Sequence, residues 1–150
     1  MPEILKIKSK IKHLIGQEVV ESRAGGSAGS ILYVIVDDKS YIAIWCAWRI
    51  EKDTEVIVTS SDTTEVPHGL VQNKTPILND NKILDIKISA QYDLIITFEN
   101  DYILRVFCDV GHSRNDYYEN WELGIPSENL VIEINNHYME LISSYDSESE

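Results

Sequence analysis

The sequence predicts a mainly β protein (α+β at the margin). Antiparallel strands are expected to form a sandwich or a partly open barrel beside one N-terminal amphipathic helix. This prediction depends on two stretches, residues 31–48 and 93–108. Each has two apolar, strand-like segments joined by a short polar turn, which is the pattern of a β-hairpin. With 150 residues, the chain is long enough for one domain that buries about two-thirds of its unfolded surface. We expect that domain to span residues 1–145.

Residues 3–15 have the spacing of an amphipathic helix, and Pro2 and Gly16 stand where helices begin and end. The apolar positions at helical intervals are Ile4, Ile7, Ile11 and Leu14. The lysines between them allow two interpretations: a helix that lies on an anionic membrane, or one that packs against the acidic body of the protein. We expect the helix to pack against the core.

A glycine-rich stretch at residues 25–30 follows a strand predicted over residues 18–23. Glycine-rich loops bind phosphate when a helix begins directly after them. Here a strand pattern begins at Ile31 instead, and no lysine stands in the required place. We therefore expect a hairpin loop rather than a phosphate site.

The first hairpin is predicted to have one strand up to Val36 and a second, continuous strand over residues 41–48. The second hairpin turns at Glu99-Asn100-Asp101, since Asn and Asp tolerate left-handed backbone. The two hairpins align without a gap, so that Cys46 falls opposite Cys108 in the alignment. Further along, residues 55–59 can be matched to residues 120–123.

This alignment predicts an internal duplication of a four-strand meander, with unit one at about 17–60 and unit two at about 82–124. Hairpins of similar length also look alike without common ancestry, because half-buried strands share one apolar pattern. Residues 60–81 are predicted to link the units across the surface. Residues 129–143 predict a C-terminal hairpin, and the acidic tail 146–150 is expected to be disordered.

The net charge of −12 and the pI of about 4.6 restrict the partners of the chain. The negative electrostatic field of such a chain repels the phosphate backbones of nucleic acids, so we expect no nucleic-acid binding. The same field speeds the encounter with a basic protein. Simple solubility is the alternative explanation. No apolar run approaches the roughly 20 residues that cross a bilayer. We expect no signal-type segment, because the basic residues near the N-terminus are interleaved with apolar ones. We expect no membrane association and a cytoplasmic location.

No catalytic, cofactor or metal motif stands out, and we expect no enzymatic activity and no cofactor. Two cysteines are too few for a disulfide scaffold or a structural zinc site. Cys108 and His112 are close enough in sequence to be considered as metal ligands or as nucleophile and base. We expect instead that Cys108 is a small core residue, because it alternates in phase with Leu104 and Val106.

The polar loop at residues 110–121 mixes aromatic and charged side chains, as protein interfaces do. We expect Trp121 to fill the core and the charged loop positions to contact a partner, since loops on a rigid sheet carry most recognition. The candidate partner-binding residues are Asp109, Arg114, Asp116, Tyr117 and Glu119.

The hairpin LIITFENDYILRVF (residues 94–107) and the segment YENWEL (residues 118–123) carry a resemblance. Over residues 83–134 the chain resembles small uncharacterised bacterial β-proteins, some of which are similar to immunity proteins of polymorphic toxins. The resemblance implies a cytoplasmic, non-enzymatic protein-binding module that neutralises a basic toxin or nuclease by direct binding. It assigns no toxin-contacting residue.

Two other functions remain open at this point. The chain is alternatively a small-molecule-binding or enzymatic β-barrel, with a pocket between the two units lined by Trp45, Trp48 and nearby tyrosines. It is otherwise a structural protein that assembles through exposed sheet edges. The sequence does not determine the oligomeric state.

Overall fold

A computed structural model of the protein describes residues 3–25, 29–64, 69–109, 119–135 and 141–144. Among these residues, the helices are α1 (Glu3–Ile11) and α2 (Leu70–Lys74). The strands are β1 (Val19–Arg23), β2 (Leu32–Val36), β3 (Tyr41–Ile44), β4 (Ala47–Lys52), β5 (Glu55–Thr59), β6 (Ile83–Ile88), β7 (Leu94–Phe98), β8 (Tyr102–Phe107), β9 (Glu119–Ile125), β10 (Leu130–Asn135) and β11 (Leu141–Ser144).

The strands form two antiparallel sheets, which confirms the predicted mainly β fold class. One sheet has six strands in the order β1-β2-β3-β9-β10-β11, and the other has five in the order β5-β4-β8-β7-β6. Inward-facing side chains of both sheets belong to one hydrophobic core. Over the described strands, each sheet is open at both edges, as in a sandwich.

The core contains two buried tryptophans whose indole N–H groups are hydrogen-bonded. Trp48 and Trp121 are the two largest fully buried side chains. The Trp48 indole N–H donates to the Ser30 carbonyl at 2.7 Å, and that of Trp121 donates to the Tyr92 carbonyl at 2.9 Å. Buried indoles need such partners. The prediction that Trp121 fills the core is confirmed.

Helix α1 and the 3-10 turn Lys12–Leu14 that follows it cover the core, as the spacing predicted. Ile7, Ile11 and Leu14 are fully buried, while the lysines point away from them. None of the helices in the described part of the chain is long and apolar enough to cross a membrane.

The predicted continuous strand over residues 41–48 is wrong. β3 ends at Ile44, and the chain then passes to the other sheet, where β4 pairs with β8. The backbone N–H groups of Trp45 and Cys46 both donate to the Asn120 carbonyl, at 2.8 and 3.1 Å, which holds the crossover in place. Residues 41–48 are an unbroken run of apolar and aromatic residues, so the sequence pattern gives no sign of the crossover.

Each predicted unit therefore divides between the sheets instead of forming one meander. In unit one, β1–β3 lie in the six-stranded sheet and β4–β5 in the other. In unit two, β6–β8 lie in the five-stranded sheet and β9 lies in the six-stranded sheet. The predicted match of residues 55–59 to 120–123 stays a prediction. The strand pairing favours a match of β4 with β9 instead, because Trp48 of β4 pairs with Val106 of β8 and Trp121 of β9 pairs with Ile44 of β3.

Several local features recur in the two halves of the chain. β1 and β6 have a register shift at the same place, between Val19 and Glu21 and between Ile83 and Asp85. An isolated bridge joins Glu18 to Lys82, where the two halves meet. These matches are consistent with internal duplication, which stays a prediction because similar paths do not require common ancestry.

The predicted surface linker over residues 60–81 is more structured than its polar composition indicated. It contains α2 and the 3-10 turn Thr75–Leu78, and it buries Val71 and Leu78 completely. The predicted C-terminal hairpin is present as the antiparallel pair β10–β11. Its turn and the acidic tail 146–150 lie outside the described residues.

Candidate functional site

An open groove crosses the outer face of the six-stranded sheet and has a volume of about 490 Å³. We call it the aromatic–acidic groove, and its lining residues are Tyr33, Ile35, Lys39, Tyr41, Ala43, Trp45, Glu119 and Glu122. It forms because alternate residues of a strand face opposite sides of the sheet. Leu32, Val34 and Val36 of β2 point into the core, which leaves Tyr33 and Ile35 on the outside.

Three aromatic side chains make up one part of the groove. Tyr33 and Tyr41 come from β2 and β3, and Trp45 from the crossover that follows β3. All three are half-buried, so their rings remain partly accessible to a ligand. The Arg23 guanidinium already lies 4.7 Å from the centre of the Tyr33 ring, a geometry typical of cation–π contacts. The groove thus has aromatic surfaces that suit a cation.

The charged lining of the groove consists of two carboxylates, Glu119 and Glu122, and one lysine, Lys39. Glu122 accepts a hydrogen bond from the Tyr41 hydroxyl at 2.5 Å, which positions both side chains. Glu119 lies beside Glu122 and Glu133, and Glu133 pairs with Glu122 across β9 and β10. Burial first, then a hydrogen bond shared with Glu133 and the negative charges of Glu133 and Glu122, raise the pKa of Glu119 to about 7. The groove is therefore a place where a positive charge would be stabilised.

Of the five predicted partner-binding residues, the structure describes two, Asp109 and Glu119. Glu119 lines the groove, and Asp109 is exposed at the point where the described chain enters the loop. Arg114, Asp116 and Tyr117 lie outside the described residues.

Asn120 hydrogen-bonds Asp109, the last described residue before the polar loop that the sequence predicted. Its side-chain carbonyl accepts the Asp109 N–H at 3.0 Å, and its amide donates to the carbonyls of Asp109 and Asn135 at 3.3 and 2.9 Å. Because Asn120 is fully buried, these bonds hold the loop entrance against β9 and β10. Asp109 is thereby held beside the strand that carries Glu119 and Glu122.

Sequence reasoning missed Tyr33 and Tyr41 as site residues. Both occupy outward positions of strands whose inward positions are apolar, and this pattern was visible in the sequence. The missing information was the neighbouring strand. Only the pairing of β3 with β9 brings Glu122 next to Ala43 and Tyr41.

The outer face of the five-stranded sheet has a different arrangement of charges. Glu51 is nearly buried and accepts hydrogen bonds from Arg49 and, at 2.8 Å, from Arg105. Burial alone would raise the pKa of Glu51, but the two guanidinium groups hold it below its usual range. The Arg49 guanidinium also lies 5.1 Å from the centre of the Phe107 ring. Arg49, Glu51 and Arg105 therefore form one network in which two positive charges share one carboxylate.

The predicted pocket that Trp45 and Trp48 would line together does not form in this arrangement. Trp45 faces the groove on the outer surface, whereas Trp48 is 1% exposed and fills the core. Within the described ranges, no three His, Cys, Asp or Glu side chains lie together as metal ligands would. His112 lies outside those ranges, so the Cys108–His112 pairing is not tested.

The groove residues can accept hydrogen bonds, stack against planar cations and pair with positive charges. Comparisons with protein-family models, with curated proteins and with solved structures found no match to this chain. The functional assignment therefore rests on the geometry and charge of the chain itself.

Proposed function

We propose that this protein is a binding module that recognises a positively charged protein through the aromatic–acidic groove. Most specifically, we propose an immunity-type inhibitor that neutralises a basic toxin or nuclease by direct binding. The observation that carries this proposal is the meeting of Glu119 and Glu122 with three aromatic rings in one open groove.

A lysine or arginine side chain of the partner fits this groove chemically. Its cationic head can pair with the carboxylates of Glu119 and Glu122, and charge-assisted hydrogen bonds of this kind are the strong ones. Its stem or guanidinium plane can lie on the ring of Trp45, where a cation gains about 0.5–2 kcal/mol. The crowding that raises the pKa of Glu119 is relieved when a cation enters.

The overall charge supports the same partner class. A net charge of −12 attracts basic proteins over distances comparable to the Debye length, about 8 Å at physiological salt. A nuclease binds its substrate phosphates on a basic surface. An acidic protein that covers that surface would exclude the substrate, so inhibition follows from binding without any chemical step.

The test compares a groove variant with a control that loses two carboxyl groups elsewhere. The groove variant is Glu119→Gln with Glu122→Gln, and the control is Asp53→Asn with Glu55→Gln, two exposed positions next to and within β5. Proteins retained by the wild type from a lysate of the source organism are identified and purified. Each is then titrated into wild type, groove variant and control at low and high salt.

The expected result is a basic partner whose affinity falls at least about tenfold in the groove variant, about 1.4 kcal/mol, and much less in the control. Affinity should also fall as salt rises. If the partner is a toxin, wild type but not the groove variant should block its activity. Equal affinities for groove variant and control, or no retained protein at low salt, would contradict the proposal.

A further inference from the structure

Cys46 and Cys108 lie opposite each other where β4 and β8 meet the crossovers between the sheets. The two strands pair Trp48 with Val106 and Ala47 with Phe107. Continuing this antiparallel register by one residue places Cys46 directly across from Cys108. Both thiols are half-buried and pack against the core, on the same side as Trp48 and Val106.

The backbone hydrogen bonds define the type of this cross-strand pair. The Cys46 N–H donates to the Asn120 carbonyl at 3.1 Å, and the Cys108 N–H donates to the Asp93 carboxylate at 2.6 Å. Neither amide is bonded to the opposite cysteine. Facing residues that do not exchange backbone hydrogen bonds have Cα atoms about 4.5 Å apart, which lies within the range of about 4.4–6.8 Å for disulfides.

The thiols also contact each other. The Cys46 thiol is within hydrogen-bonding reach of Cys108, and this contact, burial and the charge of Asp93 raise the pKa of Cys108. The Cys108 thiol donates to the Tyr92 carbonyl at 3.1 Å. Because the Cys108 thiol is already hydrogen-bonded to the Tyr92 carbonyl, Cys46 is the thiol that reacts first with an oxidant.

We propose that Cys46 and Cys108 are a reversible modification site that low-molecular-weight disulfides, such as oxidised glutathione, convert into an intramolecular disulfide. Cys46 loses its proton to solvent, and its thiolate attacks one sulfur of oxidised glutathione. This forms a mixed disulfide and releases one glutathione thiolate, which takes up a proton. Cys108 then attacks the Cys46 sulfur, and its proton goes to the second departing glutathione. The protein loses two hydrogens, and one oxidised glutathione becomes two reduced ones.

The disulfide would join the β3–β4 crossover to the chain segment that leaves β8. These segments carry the chain between the two sheets, and Trp45 of the groove is the immediate neighbour of Cys46. Closing so long a loop reduces the entropy of the unfolded chain. We therefore expect the oxidised protein to unfold at a temperature higher by roughly 5–15 °C than the reduced protein.

The experiment equilibrates the full chain with buffers of oxidised and reduced glutathione. Free thiols are counted, and peptides are mapped under non-reducing conditions. The wild type should lose both thiols together and yield a Cys46–Cys108 peptide pair in a monomeric protein, and excess reduced glutathione should reverse this. Cys108→Ser should trap glutathione on Cys46, whereas Cys46→Ser should leave the Cys108 thiol slow to react.

Three results would overturn the proposal, and none requires a variant to fold. The wild type would retain both free thiols under strongly oxidising buffer, or carry one glutathione on each cysteine, or form its disulfides between molecules. A lower unfolding temperature of the oxidised protein would overturn it as well. None of these readouts depends on a binding partner, so this proposal is tested independently of the proposed function.

Discussion

The ring of Tyr41 lies against the backbone of Gly124 and leaves no room for a β-carbon there. The two residues face each other across β3 and β9, where the sheet joins strands from the two halves of the chain. The same tyrosine donates to Glu122 on the same strand as the glycine. Because Tyr41 lines the groove and packs where a β-carbon of residue 124 would stand, the shape of the groove depends on the glycine.

We predict that Gly124→Ala lowers the free energy of unfolding by roughly 1–3 kcal/mol, because the added methyl group pushes the Tyr41 ring out of place. The same substitution in a Tyr41→Ala background should cost much less, since the ring is absent. Urea unfolding of the four proteins gives the coupling energy. Additive effects of the two substitutions would show that the contact does not constrain the groove.

Glu119 should make stability depend on pH. Its pKa is raised to about 7 from an ordinary 4.5, so the folded state holds a proton that the unfolded state has lost between these values. The stabilisation from that proton is fully present below about pH 4.5 and is lost as the pH rises through about 7. The free energy of unfolding should therefore fall from pH 4.5 to pH 8 in the wild type, with a smaller fall in Glu119→Gln.

Unfolding measured at several pH values checks this prediction, with Glu55→Gln on an exposed position of β5 as the control. The control should keep the slope of the wild type. An equal slope in wild type and Glu119→Gln would show that the crowding of Glu119, Glu122 and Glu133 does not act on proton binding. Partner affinity should change in the opposite direction and increase as Glu119 loses its proton.

The sequence predicted the local elements better than their arrangement. The hairpin of β7 and β8 could be predicted because its apolar residues follow a period of two. Helix α1 could be predicted because its apolar residues follow a period of about 3.6. The crossover at Trp45 could not be predicted from the sequence pattern. An unbroken apolar run fits one long strand as well as two strands in different sheets. The Asn120 carbonyl that anchors the crossover is distant in sequence.

The candidate site was predictable to a smaller extent for the same reason. Glu119 was identified from its loop, but its groove needs Tyr33 and Tyr41 from the first half of the chain. Charge and aromatic content indicate a binding surface in general. Which residues share that surface depends on the β3–β9 pairing, and local periodicity does not encode the pairing of distant strands.

Glu51 should stabilise the fold above its unfolded pKa. The hydrogen bonds from Arg49 and Arg105 hold its pKa below the ordinary value despite burial, so its stabilisation is present above about pH 4.5 and is lost as the pH falls below that. We predict that Glu51→Gln costs roughly 1–2 kcal/mol at pH 7, allowing for the partial exposure of both arginines.

The matched control for this prediction is Glu21→Gln. Glu21 pairs with Arg23 at 2.9 Å, but both side chains are 51% exposed, so the loss should stay within about 0.5 kcal/mol. Urea unfolding at pH 7 measures both costs. Similar costs for the two variants would show that burial does not strengthen the Glu51 network.

Trp48 and Trp121 should contribute to stability in the same way, because each is fully buried and each indole N–H donates to a backbone carbonyl. We predict that Trp48→Phe and Trp121→Phe each lower the free energy of unfolding by roughly 2–3 kcal/mol, from lost volume and the loss of one hydrogen bond to a backbone carbonyl. Trp45→Phe is the control, since Trp45 lies half-buried in the groove and its substitution should cost less than about 1 kcal/mol. Trp45→Phe should instead weaken the binding of a basic partner. Thermal and urea unfolding measure the loss of stability in each variant. A loss for Trp45→Phe equal to that of the other two variants would show that the core and the groove tryptophans do not differ in their contribution to stability.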